Sequence, residues 1–360
     1  MTLTVSNQCP RVAIAGGGLM GRLLAWRLAL RGLDITLFEA GSLARPSGAC
    51  WTAAGMISPL SELVHSERSV YELGLRSLVL WREWSGCLQL LCGSPVGFRQ
   101  AGSVLVAHGR DRSELLQFQR ELQGKLEAGE LGQLRAVAAT ELWELEPALA
   151  GFERGLFLAP EGDIDNRRLL PALLEVLRRQ RVSLREECPV DCEPFTIFEG
   201  GRRQEFELVV DCRGLGARDR VPGLRGVRGE VLVVETPEVQ LRRPVRLLHP
   251  RYQLYAVPRE NGQTVIGATE IESEDMSPTS LRSCMELSSA LYSLNPAFAE
   301  ARIIETRVNC RPATMDNLPV VEGEPGLVSV NGLYRHGYLL APALAERVEQ
   351  LAIGQVQQLA

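Results

Sequence analysis

The sequence predicts an α/β protein whose first domain is built on a parallel sheet and whose second domain is interleaved with it. Three observations carry that expectation. An apolar run, Arg11 to Ala15, turns through Gly16-Gly17-Gly18-Leu19-Met20-Gly21 into a segment with apolar residues at helical spacing. A second run, Asp34 to Glu39, follows Gly32, so strand, glycine turn, helix and strand fit within about thirty residues, the length of a βαβ unit. Finally, 360 residues exceed a typical single core, yet no repeat or low-complexity linker divides them into two blocks.

Beyond the second strand, GSLARPSGACWTAAGM is too rich in glycine and serine for a long helix. Glu67 to Leu91 returns to helical periodicity, and Val96 to Ala107 partly alternates, as strands do. Arg112 to Gly132 is charged and amphipathic, the pattern of a surface helix. Asn166 to Arg181 is a further helix, followed by strands in VSLREE, TIFEG and FELVVDC. Val231 to Val234 and Tyr252 to Gly267 read as strands, and Ser280 to Leu294 as a helix. The last element is a helix over Pro342 to Ile353, its proline marking the first turn.

Composition limits the function. Hydrophobic residues at 45% and charged residues at 23% describe a globular chain, which sets aside disorder and collagen-like repeats. No run approaches the roughly 18 apolar residues of a membrane span. The opening MTLTVSNQCP lacks the basic and apolar regions of a secretory signal, so a cytoplasmic location is expected. A net charge of -5 gives no global attraction to phosphate, and no nucleic-acid partner is expected. Lys125 is the sole lysine, which removes any P-loop lysine and leaves one residue for Schiff-base chemistry, in a polar helix expected to be exposed. The nine cysteines contain no CxxC pair and the four histidines are dispersed, so neither a metal site nor a disulfide framework is expected.

The glycines carry the first chemistry. Gly16, Gly18 and Gly21 form G-x-G-x-x-G at a strand-to-helix junction, and Glu39 ends the second strand. In a Rossmann-like turn the first glycine permits the bend, the second lets backbone approach a pyrophosphate, and the third lets helix pack on strand. The helix N-terminus faces the phosphates, and the acid accepts hydrogen bonds from the adenosine ribose. FAD and NAD both suit this placement. The later cluster Gly214-Leu215-Gly216 follows a strand but no long helix, which argues against a second dinucleotide.

Further stretches then occur in a fixed order: ACWTAAGMISPL (49–60), GDIDNRRLLPALL (162–174), VVDCRGLGA (209–217), RGEVLVV (228–234), YAVPR (255–259) with IGATE (266–270), CRPATMDNLPVV (310–321) and NGLYRHGYLLAP (331–342). Together they resemble the D-amino-acid oxidase-like family of FAD-dependent oxidoreductases, most of all glycine oxidase of the thiamin-biosynthesis type. The resemblance spans essentially the whole chain. It implies a Rossmann-like FAD-binding domain from 10–90, 155–222 and 309–360, and a substrate domain on an antiparallel sheet from 91–154 and 223–308. FAD, held without a covalent link, would meet Ala53, Ala54, Gly55, Met56, Val190, Gly214, His336, Gly337, Tyr338 and Leu339 besides the glycine turn and Glu39. Arg311 matches the arginine that holds the substrate carboxylate, Tyr255 the tyrosine that helps hold it, and Arg335 a loop position near flavin and substrate. A guanidinium offers a planar fork for a carboxylate, and a phenol a second hydrogen bond.

The implied reaction oxidises a small amino acid, glycine first and sarcosine or small D-amino acids next. The imine would be hydrolysed to oxo acid and ammonia, with oxygen reduced to hydrogen peroxide. Three alternatives stay open: a dehydrogenase of the same fold passing electrons to a quinone or carrier, a flavin module acting on modified tRNA, and a flavin-binding protein without catalysis. The sequence does not set the oligomeric state, a homo-oligomer included. Two departures bear on the site. His336-Gly337-Tyr338 stands where relatives often have Asn, Gly and an aliphatic residue. Cys310 adjoins Arg311 in a region where some relatives attach flavin through cysteine; a free buried thiol is expected here.

Overall fold

The computed structural model describes residues 9–359, so the N-terminal stretch read for a secretory signal lies almost wholly outside the described residues. β1 (Arg11–Ala15), α1 (Leu19–Leu30) and β2 (Asp34–Phe38) form the expected βαβ unit. β1 is buried beyond its first residue because it lies inside a six-stranded sheet, between β2 and Leu208–Asp211. Ser183–Arg185 flanks β2 in parallel, and Leu327–Asn331 extends the other side. Val320–Glu324 closes that edge antiparallel. Central parallel strands are covered on both faces, which is why VAIA (12–15) and LVV (208–210) are unbroken apolar runs. α1 and the helices Arg68–Cys92, Asn166–Arg179 and Gly337–Leu359 share the largest core, where Trp26 meets Trp84 edge to face at 5.6 Å.

The second sheet has eight strands, in spatial order Arg302–Ala313, Arg225–Glu235, Gln263–Gly267, Tyr252–Pro258, Val245–His249, Ser103–Val106, Arg154–Leu158 and Leu134–Ala138. Every neighbouring pair is antiparallel except Val245–His249 with Ser103–Val106. Helix Leu281–Leu294 covers one face through Leu287, Leu291 and Leu294, and Ser280 caps it by accepting from the Ser283 amide. The other face presents Val231, Val257 and Tyr255 to Ala54 and Met56. The two sheets therefore meet at the segment that follows the glycine turn.

Several boundaries differ from expectation, each for a local reason. The expected domain limits at 154/155 and 308/309 fall inside strands Arg154–Leu158 and Arg302–Ala313, so both segments pair within the antiparallel sheet. RIIETRVNCRPA shows no clean alternation; its ladder with Arg225–Glu235 makes it a strand. The surface helix over 112–132 ends at Lys125. The C-terminal helix starts at Gly337 instead of Pro342. Pro342 has no N–H for the Tyr338 carbonyl four residues back, and Trp81 Nε1 donates to that carbonyl instead, at 2.8 Å. No helix among the described residues is long and apolar enough to cross a membrane.

Candidate active site

Where β1 ends, Gly16 takes φ +101°, and a Cβ there would lie 2.4 Å from the Cys212 carbonyl oxygen. At Gly21 a Cβ would lie 1.8 Å from the Gly16 oxygen, so helix and strand touch only through glycine. Gly18 is open: the nearest atom to a Cβ there is Cys50 Sγ, at 3.9 Å. Arg22, buried beneath, donates to the carbonyls of Gly17, Leu170 and Leu43 and fixes the turn. Glu39 accepts from the amides of Gly17 at 2.6 Å and Gly41 at 2.9 Å, and still lines the cavity above.

That cavity is continuous and large, about 1500 Å³. Pockets for one drug-sized ligand hold roughly 300–1,000 Å³, so a dinucleotide and a small second ligand fit together. Its walls include Gly16, Gly18, Glu39, Ala53, Ala54, Gly55, Met56, Gly214, Tyr255, Arg311 and all of 335–339. The structure thus brings together all but two of the expected site residues. Gly21 lies under the turn, and Val190 opens the strand Val190–Glu193, its carbonyl accepting from Arg213 Nη1 at 3.1 Å. Neither is among the residues that line the cavity.

The segment 49–56 is clamped over the glycine turn. Asn166 Nδ2 donates to the carbonyls of Cys50 and Trp51, at 3.1 and 2.8 Å, and the Tyr338 hydroxyl donates to Cys50 at 2.8 Å. Tyr338 is 3% exposed and its hydroxyl positions this segment, while the residue still lines the cavity. Helix Gly337–Leu359 begins at the cavity wall, which brings its positive N-terminal end there.

Arg311 stands on Arg302–Ala313 with its guanidinium over Gly229, where a Cβ would lie 2.4 Å from Nη2. Gly267 makes the same room for the Tyr255 hydroxyl, 2.7 Å from a Cβ there. Arg311 Nη1 and Nη2 both donate to the Thr269 carbonyl at 3.2 Å, and no carboxylate among the described residues forms an ion pair with it. Burial pushes the Tyr255 phenol up, opposed by the field of Arg311 and its neighbours. Cys310 turns away: its Sγ lies 3.7 Å from the Ser273 carbonyl and 3.6 Å from Met276 Sδ, and burial pushes the thiol up.

Arg335, expected near flavin and substrate, lines the cavity and is ion-paired there. Its Nη2 lies 2.9 Å from Glu62 Oε2 and its Nη1 3.3 Å from Glu270. Glu62, which sequence reasoning missed, is the hub. Its Oε2 also meets His336 Nε2 at 3.0 Å, and its Oε1 accepts from Arg246 Nη2 at 3.1 Å. Burial acts to raise the Glu62 carboxyl, but Arg335, His336 and Arg246 hold it well below the usual carboxylate range. The short helix Pro59–Leu63 that carries Glu62 is gripped at both ends. Buried Glu161 accepts from the Ser61 amide at 2.6 Å and its hydroxyl at 3.0 Å. Lys125, exposed at the end of its helix as expected, donates to the carbonyls of Leu63 and Val64 at 2.8 and 3.0 Å. His65 and His249, expected to be incidental, also line the cavity, while His108 stacks on Phe152 at 5.1 Å.

A glycine-turn nucleotide site whose cavity continues to an arginine on an adjoining antiparallel sheet defines a dinucleotide-dependent oxidoreductase. The chain belongs to the family of FAD-dependent oxidoreductases, whose model matches residues 11–351. It is 43% identical to a Rhizobium etli protein named for the thiamine biosynthesis oxidoreductase ThiO, over 94% of this chain and 95% of that one. It spans about half the length of the bifunctional protein ThiO/ThiG of Nostoc sp., at 26% identity over 96% of this chain and 53% of that protein. The crystal structure of glycine oxidase from Geobacillus kaustophilus superposes with a TM-score of 0.81 at 27% identity, covering 97% of this chain and 95% of that one.

The cofactor is FAD, and the open backbone at Gly18, the acid at Glu39 and the continuous cavity fit it. The orientation of Cys310 leads to an expected result. Acid precipitation should release the yellow colour into the supernatant, because the thiol is bonded to Ser273 and Met276. Colour kept in the pellet would mean a covalent link.

Proposed function

We propose that the protein oxidises the C–N bond of a small amino acid, glycine first and sarcosine or a small D-amino acid next. The observation that carries this reading is Arg311, a half-buried guanidinium in the cavity wall whose hydrogen bonds go only to carbonyl groups. A carboxylate is a stronger partner for a guanidinium than a neutral carbonyl, and a bidentate one orients what it carries. Tyr255 offers a hydroxyl within the field of the same guanidinium. Bound FAD supplies the acceptor for a hydride from the α-carbon and, when reduced, the electrons for oxygen. The chain's own part is to hold the carboxylate and so fix the α-carbon in reach, which needs no side-chain base. The names of the Rhizobium relative and of the Geobacillus structure support the reading.

Anaerobic addition of glycine to the yellow protein should bleach its visible absorbance, and air should restore it with formation of hydrogen peroxide. Failure of glycine, sarcosine and D-alanine alike to bleach the protein would remove this reading. Bleaching that air does not reverse would make it a dehydrogenase that uses another acceptor.

A further inference from the structure

Three arginines approach the Tyr255 end of the cavity, and they are not equivalent. Arg246 sits opposite Tyr255 in the strand register, so both side chains leave the same face of the sheet. Arg335 reaches the cavity from the turn before the C-terminal helix. Both are tied to Glu62, at 3.1 and 2.9 Å, and Arg335 is shared with Glu270 at 3.3 Å. Arg311 has no such partner among the described residues. Glu62 and Glu270 are taken up by Arg246 and Arg335, and buried Glu161 also lies in the field of Arg246, so the carboxylates at this end are committed elsewhere and Arg311 is ion-paired with none of them. A further arginine, Arg259, lies 3.5 Å from Asp163 and 3.7 Å from Asp165 and donates to the Ala54 carbonyl, so it is already balanced.

The hold on Glu62 is built to last. Its side chain is 10% exposed, it has a third partner in His336, and the helix beneath it is fixed by Glu161 and Lys125. A buried, multiply bonded carboxylate does not yield its place to an incoming one without leaving a charge unpaired. Arg246 meanwhile keeps a buried Nε with no partner, so its bonding capacity is not exhausted by Glu62.

We propose that Glu62 limits this pocket to substrates with a single carboxylate, by occupying Arg246 and Arg335 and leaving only Arg311 to bind one. The proposal rests on the reading of Arg311 as a carboxylate anchor. Glu62 is thus a specificity residue: it need not touch the substrate. Amino acids carrying a second carboxylate, on the nitrogen or on the side chain, are excluded because two guanidinium groups that could receive it are already neutralised.

The test uses the FAD-loaded protein and two redox-inert probes of the same skeleton, methoxyacetate with one carboxylate and diglycolate with two. Binding is read from the perturbation of the flavin spectrum, independently of turnover. In Glu62→Gln the preference for diglycolate over methoxyacetate should rise by about tenfold or more relative to wild type, one to two charge-assisted hydrogen bonds' worth. The rise should survive high ionic strength, because direct pairing in a partly buried site is little screened. An unchanged or reduced preference, or a rise that salt abolishes, overturns the proposal. Should Glu62→Gln purify without FAD, Glu270→Gln decides: it lies on an exposed loop, and it should shift the preference the same way by about threefold; no shift overturns the proposal. If wild type binds neither probe, the anchor role of Arg311 fails with it. If wild type binds methoxyacetate and the variants gain nothing, only the role of Glu62 fails.

Discussion

Arg311→Leu should give a yellow, folded protein whose kcat/KM for amino acids falls by at least about a hundredfold. The guanidinium lies over Gly229 and is the cavity arginine near Tyr255 whose bonds go only to carbonyl groups. A substrate carboxylate brought there without it would be buried and unpaired. Removing one partner of such a pair costs about 3–5 kcal/mol, two to almost four decades in equilibrium terms. The glycine turn and Glu39 are separate contacts and remain, so FAD content and spectrum should survive. Simple amines should lose much less, since they have no carboxylate to place. Steady-state kinetics with paired amino acid and amine substrates checks this. Turnover of amino acids within a few-fold of wild type would put the anchor elsewhere.

The second large effect is on the cofactor. In Gly21→Val the first atom of the side chain would fall 1.8 Å from the Gly16 carbonyl oxygen, which is backbone and cannot rotate away. α1 must lift from β1, and the turn that ends in Gly18 moves with it. Overpacking of this kind costs about 1–3 kcal/mol or more, roughly a 5- to 150-fold loss if it falls on binding. The variant should purify largely as apoprotein. The ratio of visible to protein absorbance measures this directly, and a ratio equal to wild type would mean that the turn does not hold FAD.

Much of this architecture is written locally. The glycine turn and its flanking strands are contiguous, so their spacing alone predicts the βαβ unit and its ligand class. Arg311 and Tyr255 stand in stretches that resemble a known family, and the structure places both on the cavity wall. Glu62 could not be found that way. It lies two residues past the matched stretch, on a five-residue helix of mostly apolar residues, and its partners Arg246, Arg335 and His336 are distant in sequence. A lone acid carries no sign of what it will face. The nearest signal was the histidine at 336 where relatives often have asparagine, since either side chain can present an N–H to that carboxylate. Val190 shows the opposite limit: the motif places it at the start of a strand, but does not tell that its carbonyl accepts from Arg213. The helix start was misplaced because Pro342 reads as a first-turn proline; only Trp81, far away in sequence, makes it tolerable deeper in the helix.

The central position of β1 has a consequence for how the protein is made. β2 lies close to β1 in sequence, but the other neighbour of β1 is Leu208–Asp211, and the strand beyond that is Leu327–Asn331. Synthesis at ~5–20 residues per second leaves one edge of an apolar strand uncovered for about 10–40 s. An open edge of that kind is a template for pairing with another chain. The pocket has the same timetable, because its walls run from Gly16 to Leu339. A full set of cavity walls is present only once the chain has been made through Leu339.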